Sequence, residues 1–439
     1  MTNSEKESIA QFVIETAKKK GADQVAVNLG YQQGNSIQYR DGEIEQLEES
    51  RQSGLTVNLY CNHKYSGHST NNLRKDDLKI FIEKAVKSTS YLTPDKFREL
   101  PERALYPENL DLDLALYDES YFNIQAEDRI KLVKEIYSTA KTGDHRIISI
   151  AAGYSDGVFS SLKMHSNGFC GHSKGTIYSV SAEVTVKDKD SRPEDWYSMQ
   201  SRFINEFTGA EKTGLYAAQA ALSKIGQSKI KTGKYNMLVE NRAAIKLVGM
   251  LLAPMTAAAI QQKSSYLEGK LENQITSEIL TVKDNPLIPG ALGSRLFDAE
   301  GIASKERVII EKGILKQFYV DWYYGRKSGL QPNGGSSSNL EFSLGNLTRD
   351  ELISQVKEGI LVTGFNGGNS NSTTGDFSFG ISGFLFENGK IIKPVNEMNI
   401  TGNAAELWKN FVSIGNDPYP YSKWRVPSLL FEGIVFSGI

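Results

Sequence analysis

An α+β fold is predicted for this chain, and three observations predict it. Apolar residues recur at helical spacing in separate blocks, as at Ile9, Phe12, Val13 and Ala17. Other stretches alternate apolar and polar residues with a period of two, as at Val25, Val27, Leu29 and Tyr31. Between such stretches sit the dipeptides Asp41-Gly42, Lys312-Gly313 and Asn388-Gly389, which mark antiparallel hairpins. Helices and hairpins come in groups instead of alternating as β-α-β units, so the pattern is α+β and not a parallel α/β fold.

In chain order, Ser4 and Glu7 stand three apart as a capping box, and Gly21 ends the first helix. The strand at 25–31 continues through Ile37 and Tyr39 into Asp41-Gly42. Its return strand runs through Leu55, Val57, Leu59 and Cys61. Leu78, Ile82, Ala85 and Val86 define a helix over about 74–91. Pro94, Pro101 and Pro107 make 93–121 an irregular connection. Ile130, Val133, Ile136 and Ala140 define a helix over 126–141. Three strand stretches follow: IISIAAGYS, GVFSSLKMHS and GTIYSVSAEVTV. A helix over about 211–225 stops at Gly226.

The segment GQSKIKTGKY at 226–235 is the expected domain boundary. It divides an N-terminal α/β sandwich-like domain of hairpins and helices, 1–225, from a C-terminal domain, 226–439. The second is expected to be rich in antiparallel sheet, with one long helix at about 241–262. Pro254 removes a backbone donor in that helix and should kink or end it.

With 439 residues, 39% hydrophobic and 23% charged, the composition is that of an ordinary globular protein. The formal net charge of −2 and the absence of a Lys/Arg run give no nucleic-acid footprint. The polar start MTNSEKESIAQF is unlike a secretory signal. The apolar run at 250–260 is shorter than the roughly 20 residues that span a bilayer. Cys61 and Cys170 do not form a disulfide framework, and the expected address is the cytoplasm.

Candidate chemistry is sparse. Cys61, His63 and His68 cluster, as do His165, Cys170 and His172, and thiolate with imidazole is a zinc ligand set. Cys170 and His172 share a face if they lie on a strand. Both stretches also read as hairpin tips, and neither carries C-x2-C spacing, so no metal is expected there. Ser336, Ser337 and Ser338 lack a G-x-S-x-G elbow and a neighbouring His. GFNGGNS lacks the Lys-Ser/Thr of a phosphate loop. Asp111 and Asp113 fall in a polar connector and read as a solvated face. The stretch GGNSNSTTGDFSFG, 367–380, reads as a long polar loop, with Asp376 capping a turn through backbone N–H groups.

TTGDFSFGISGFLFENGKIIKPVNEMNITGN (373–403) resembles the C-terminal signature of the TldD/PmbA family. RLFDAEGIASKERVIIEKGILKQFYVDWYYGRKSG (295–329), YRDGEIEQLEES (39–50) and HSNGFCGHSKGT (165–176) resemble further blocks of it, in the family's order. The resemblance implies cytoplasmic proteins, also called modulators of DNA gyrase, associated with a zinc-dependent peptidase of two related subunits. It implies that the TldD-type subunit holds the zinc, through H-E-x-x-x-H on the long helix and a cysteine near the C-terminus.

This sequence departs from that pattern. Ala253 and Ala258 stand where the two His would be, and Pro254 where the Glu would be. Positions 240–262 contain neither His nor Cys, and no cysteine follows Cys170. The chain therefore resembles the PmbA-type subunit, with a degenerate site and no catalytic residue of its own. The resemblance implies zinc only in a TldD-type partner. It also implies a dimer with that paralogue or with itself, an extended peptide as substrate, and a cleft rim that includes Asn369, Asn371, Thr374 and Asp376. Two rivals remain open at this point: an independent hydrolase with an unrecognised site, and a homodimer that binds peptides without cutting them.

Overall fold

The three turn dipeptides close hairpins as expected. Asp41 and Gly42 have φ of 50° and 103°, Lys312 and Gly313 45° and 79°, Asn388 and Gly389 49° and 79°. Two consecutive positive φ values match the right-handed twist of the strands they join. A computed structural model describes residues 1–439.

The first sheet holds six strands: β1 (Gln24–Arg40), β2 (Glu43–Cys61), β3 (Lys64–Thr70), β4 (Ile147–His165), β5 (Cys170–Val186) and β6 (Glu194–Ser201). Their order is β3-β2-β1-β4-β5-β6, and every neighbouring pair is antiparallel. Helices α1 (Asn3–Lys19) and α2 (Lys75–Thr89) cover one end, with Val13, Val27, Val57 and Ile82 in a shared core. Helices α3 (Ala126–Ala140) and α4 (Lys212–Ser223) cover the other end, over Val133, Tyr154, Val180 and Ala217. The β1 and β4 residues in both cores fall on one parity, so both helix pairs lie on the same face of the sheet.

Two local expectations are corrected here. The capping box belongs to Thr2 and Glu5, not Ser4 and Glu7: the Glu5 amide donates to Thr2 Oγ1, and the Thr2 amide donates to Glu5 Oε2 at 2.6 Å. The stretches IISIAAGYS and GVFSSLKMHS are one strand, β4, running straight through Asp156-Gly157. No turn forms there because the Asp156 carboxylate is buried and fully engaged. It accepts from Arg129 Nε at 2.5 Å, Tyr154 at 2.8 Å, Tyr121 at 2.9 Å and Asn35 at 2.8 Å.

The second half opens with β7 (Gly233–Val239), which leads into α5 (Asn241–Leu252). The expected long helix is interrupted as Pro254 requires: a 3-10 turn at Ala253–Met255 separates α5 from α6 (Ala257–Gln261). A four-stranded sheet follows, made of β8 (Val282–Asp284), β9 (Arg307–Glu311), β10 (Ile314–Leu315) and β11 (Leu340–Phe342), with α7 (Trp322–Ser328) beside it and α8 (Arg349–Gln355) after it. The main sheet adds β12 (Glu358–Ser370), β13 (Asp376–Glu387), β14 (Lys390–Asn403), β15 (Phe411–Ile414) and β16 (Leu429–Ser437), with α9 (Ala404–Lys409) between β14 and β15. Its order is β14-β13-β12-β7-β16-β15. All its pairs are antiparallel except β7 with β12, and a further pairing of β14 with β16 curls the sheet toward a barrel. Ala244, Leu247, Val248 and Leu251 of α5 are buried in the main core, which Trp408, Phe411 and Phe431 anchor with rings 5.4–5.8 Å apart. No helix is long and apolar enough to cross a membrane.

Candidate functional site

The interrupted helix and the polar stretch at 367–380 lie side by side. Thr256 caps α6 by accepting from the Ala259 amide at 3.2 Å, and its backbone bridges to Tyr319. The Tyr319 amide donates to Met255 O at 2.7 Å, and the Ala257 amide donates to Tyr319 O at 2.8 Å. Ser265 Oγ donates to Pro254 O at 2.7 Å. Carbonyls that an unbroken helix would use internally are thus satisfied by neighbouring segments. The chain then reaches Tyr266, whose amide donates to Ser372 O at 2.9 Å, in the turn between β12 and β13.

That turn corrects the expectation of a long loop. β12 extends through Ser370 and β13 starts at Asp376, so only 371–375 form the tip. A bulge at Gly367 and Gly368, with φ of 62° and 83°, lets the polar residues stay in the ladder. Asn369 pairs across to Ser378 on an exposed part of the hairpin. Asn371 Oδ1 accepts from the Thr373 amide at 2.9 Å. Asp376 holds the turn, but through side chains instead of backbone amides. Its Oδ2 accepts from Thr374 Oγ1 at 2.7 Å and its Oδ1 from Asn403 Nδ2 at 3.0 Å. These bonds, Thr374's first, hold the exposed Asp376 carboxyl below the usual carboxylate range. Asn403, which sequence reading did not single out, also caps α9 by accepting from the Ala405 amide at 3.0 Å.

Next to this region a groove runs between the first sheet and the second half. One part, about 650 Å³, is lined by Asp195, Trp196, Arg242, Lys246, Asn366 and Gly368. The other, about 740 Å³, shares Asp195, Arg242 and Thr363 and adds Tyr197, Tyr216, Tyr419 and Tyr421. The outer edge of β6 forms one wall. Its carbonyls are taken by side chains: Lys224 Nζ donates to Glu194 O, Arg242 Nη1 to Trp196 O and Tyr419 OH to Ser198 O, each at 2.7 Å. Of the polar stretch, only the bulge residues reach this groove; Asn369, Asn371, Thr374 and Asp376 are not in its wall.

The positions where the resemblance implies metal ligands do not fit a metal. Ala253 is exposed, Pro254 buried and Ala258 half-buried, and none offers a donor atom. The five histidines all precede residue 173. His165 is buried with Nδ1 against Tyr106 OH at 3.0 Å, and burial pushes its ring down to about 3, so it stays neutral. A serine nucleophile is equally unsupported. Ser338 is buried, and its amide and Oγ both bind Asp284, which pairs with Arg307 at 3.0 Å. Ser337 Oγ accepts from Trp424 Nε1 at 3.1 Å. The hairpin-tip reading of the two His/Cys clusters holds for the backbone: Asn62 and His63 turn β2 into β3, and 166–169 turn β4 into β5.

Three family models cover most of the chain: PmbA/TldA metallopeptidase domain 1 over 25–89, the central domain over 119–225 and the C-terminal domain over 232–438. A solved structure from Bacteroides thetaiotaomicron, described as a modulator of DNA gyrase, is 40% identical, covers 100% of both chains and superposes with a TM-score of 0.97. Metalloprotease PmbA of Escherichia coli O157:H7 is 27% identical over 98% of this chain and 96% of its own. A metalloprotease PmbA homolog of Buchnera aphidicola subsp. Baizongia pistaciae is 33% identical over 80% of this chain and 78% of its own. With its domains matched in order and these relatives aligned along most of their length, the chain belongs to the PmbA/TldD metallopeptidase family.

Proposed function

We propose that this chain is a non-catalytic, PmbA-type subunit of a TldD/PmbA metallopeptidase, supplying cleft wall and dimer surface while a TldD-type paralogue supplies the catalytic zinc. One observation carries the reading. The matched C-terminal metallopeptidase domain contains no His and no Cys, and its interrupted helix presents Ala253, Pro254 and Ala258. The word metalloprotease in the relatives' names describes those proteins; here the C-terminal domain lacks the donor set for a catalytic metal. Under this reading the substrate is an extended peptide, the groove beside α5 is its path, and the assembly works in the cytoplasm. The polar hairpin at Asn369, Asn371, Thr374 and Asp376 stiffens the rim beside that path. Residues 1–225 and 226–439 act as two domains, which is supported by the absence of any sheet with strands from both. An independent hydrolase gains nothing from Ser337 or Ser338, whose hydroxyls are engaged away from any histidine. A homodimer that binds peptides without cutting them is the remaining rival. The test is purification of this chain from its native cells under mild conditions. Co-purification of a TldD-type paralogue supports the reading; a pure homodimer, with the paralogue present in the lysate, overturns it.

A further inference from the structure

Cys170 and His172 stand two apart on β5, so their side chains leave the same face of the first sheet. The structure adds a third group that lies 165 residues away in sequence. Glu7 of α1 reaches over that face, and His172 Nε2 lies 2.8 Å from Glu7 Oε1. One ligating atom from each of Glu7, Cys170 and His172 lies within 4.8 Å of the others, and no other trio of His, Cys, Asp or Glu in the chain converges this way.

These groups are not committed elsewhere. Cys170 is a free thiol. The other ring nitrogen of His172, Nδ1, is buried and has no hydrogen-bond partner. The Glu7 side chain is 46% exposed, which leaves an entry path from solvent. A His–Glu ion pair would account for two of the three residues and gives the thiol no part. Lys174, two residues further along β5, is drawn onto the Tyr117 ring, with Nζ 3.0 Å from its centroid, and Lys6 of α1 is engaged by Ser160 Oγ at 2.6 Å.

We propose that Glu7, Cys170 and His172 form a binding site for a zinc-class divalent cation, with three protein ligands and a fourth position open to water. Thiolate, imidazole and carboxylate are the donor types zinc takes. Zinc bonds of about 2.0–2.3 Å set tetrahedral donors about 3.3–3.8 Å apart. No pair therefore needs to close by more than about 1.5 Å, and the His172–Glu7 contact opens by about half an ångström, both within reach of side-chain rotation. Burial, with the nearby Glu7, raises the Cys170 thiol's affinity for its proton. The metal displaces that proton to solvent and binds the thiolate. The site belongs to the first sheet, apart from Ala253, Pro254 and Ala258, and clamps α1 onto β5.

The test uses the full chain, stripped with a chelator and titrated with Zn(II) against a chromophoric competitor, then with Co(II). The expected result is one metal per chain, a thiolate-to-cobalt charge-transfer band, and a rise in unfolding temperature with Zn(II). Cys170→Ser, His172→Ala and Glu7→Gln each weaken binding by roughly tenfold or more, while His145→Ala, an exposed histidine elsewhere, leaves it unchanged. If Cys170→Ser fails to fold, Glu7→Gln at its exposed position decides. No Zn(II) binding tighter than about 100 μM, a weak affinity by the usual arithmetic, overturns the proposal. So does Zn(II) binding that Glu7→Gln and Cys170→Ser both leave intact.

Discussion

Glu300→Gln should stabilise the protein at pH 8.5 and do little at pH 5. Glu300 sits at the seam between the two halves, where Lys163 Nζ of β4 donates to Ala299 O at 2.7 Å. Burial pushes its carboxyl up to about 7; the Trp322 amide, donating to Oε2 at 2.6 Å, offsets part of this, and Asp298 and Asp321 add to it. For an acid whose folded pKa is raised, the sign runs against the common carboxylate case. Below 4.5 both states are protonated and nothing is lost. Between 4.5 and about 7 the unfolded chain ionises first, so stability falls as pH rises, and the full penalty persists above 7. At about 1.36 kcal/mol per pH unit, a rise from 4.5 to about 7 bounds the penalty at about 3 kcal/mol. Gln keeps the acceptor for the Trp322 amide and carries no charge. Thermal and urea unfolding of the two proteins at pH 5 and 8.5 reads the difference. A gain at pH 8.5 that shrinks to less than about 1 kcal/mol at pH 5 is expected by the same linkage. An equal effect at both pH values, or a loss at pH 8.5, would refute the assignment of Glu300 as a carboxyl that burial makes costly to ionise.

Asp284→Ala leaves Arg307 buried without its carboxylate and should cost about 3–5 kcal/mol in denaturant unfolding; Asp284→Asn, which keeps an acceptor for the Ser338 amide, should cost less. Asn403→Ala removes the α9 cap together with the ties to Thr374 O and Asp376, for about 1–2 kcal/mol. Faster amide exchange at 371–375 is the local sign of it. Combining Ala253→His, Pro254→Glu and Ala258→His should give no chelator-sensitive peptide cleavage by the chain alone, because no cysteine follows Cys170 to complete the site.

What the sequence revealed and what it hid divide along physical lines. The Asp41-Gly42, Lys312-Gly313 and Asn388-Gly389 hairpins are legible because each carries a glycine that takes positive φ freely, and Asp41 and Asn388 tolerate it too. Pro254 is legible because a missing N–H breaks a helix whatever surrounds it. Asp156-Gly157 misleads for the opposite reason: Arg129, Tyr121, Tyr154 and Asn35 are distant in sequence, and their convergence on one carboxylate overrides a local turn preference. The polar stretch at 367–380 misleads likewise, since a bulge and the partner strand β13 keep Asn and Ser in a ladder. Within the candidate site, the absence of metal donors at Ala253, Pro254 and Ala258 is a matter of residue identity and needs no fold. The roles of Asn403, Tyr266 and Glu7 depend on contacts across long loops, and no spacing rule marks them.

Peptide cleavage by purified components tests whether this chain is a non-catalytic subunit. This chain, a TldD-type paralogue from the same cells, and their mixture are each incubated with an unfolded peptide, with and without a chelator. This chain alone should cleave nothing, and the mixture, whose two proteins elute together, should show chelator-sensitive cleavage. Chelator-sensitive cleavage by this chain alone would contradict a non-catalytic role.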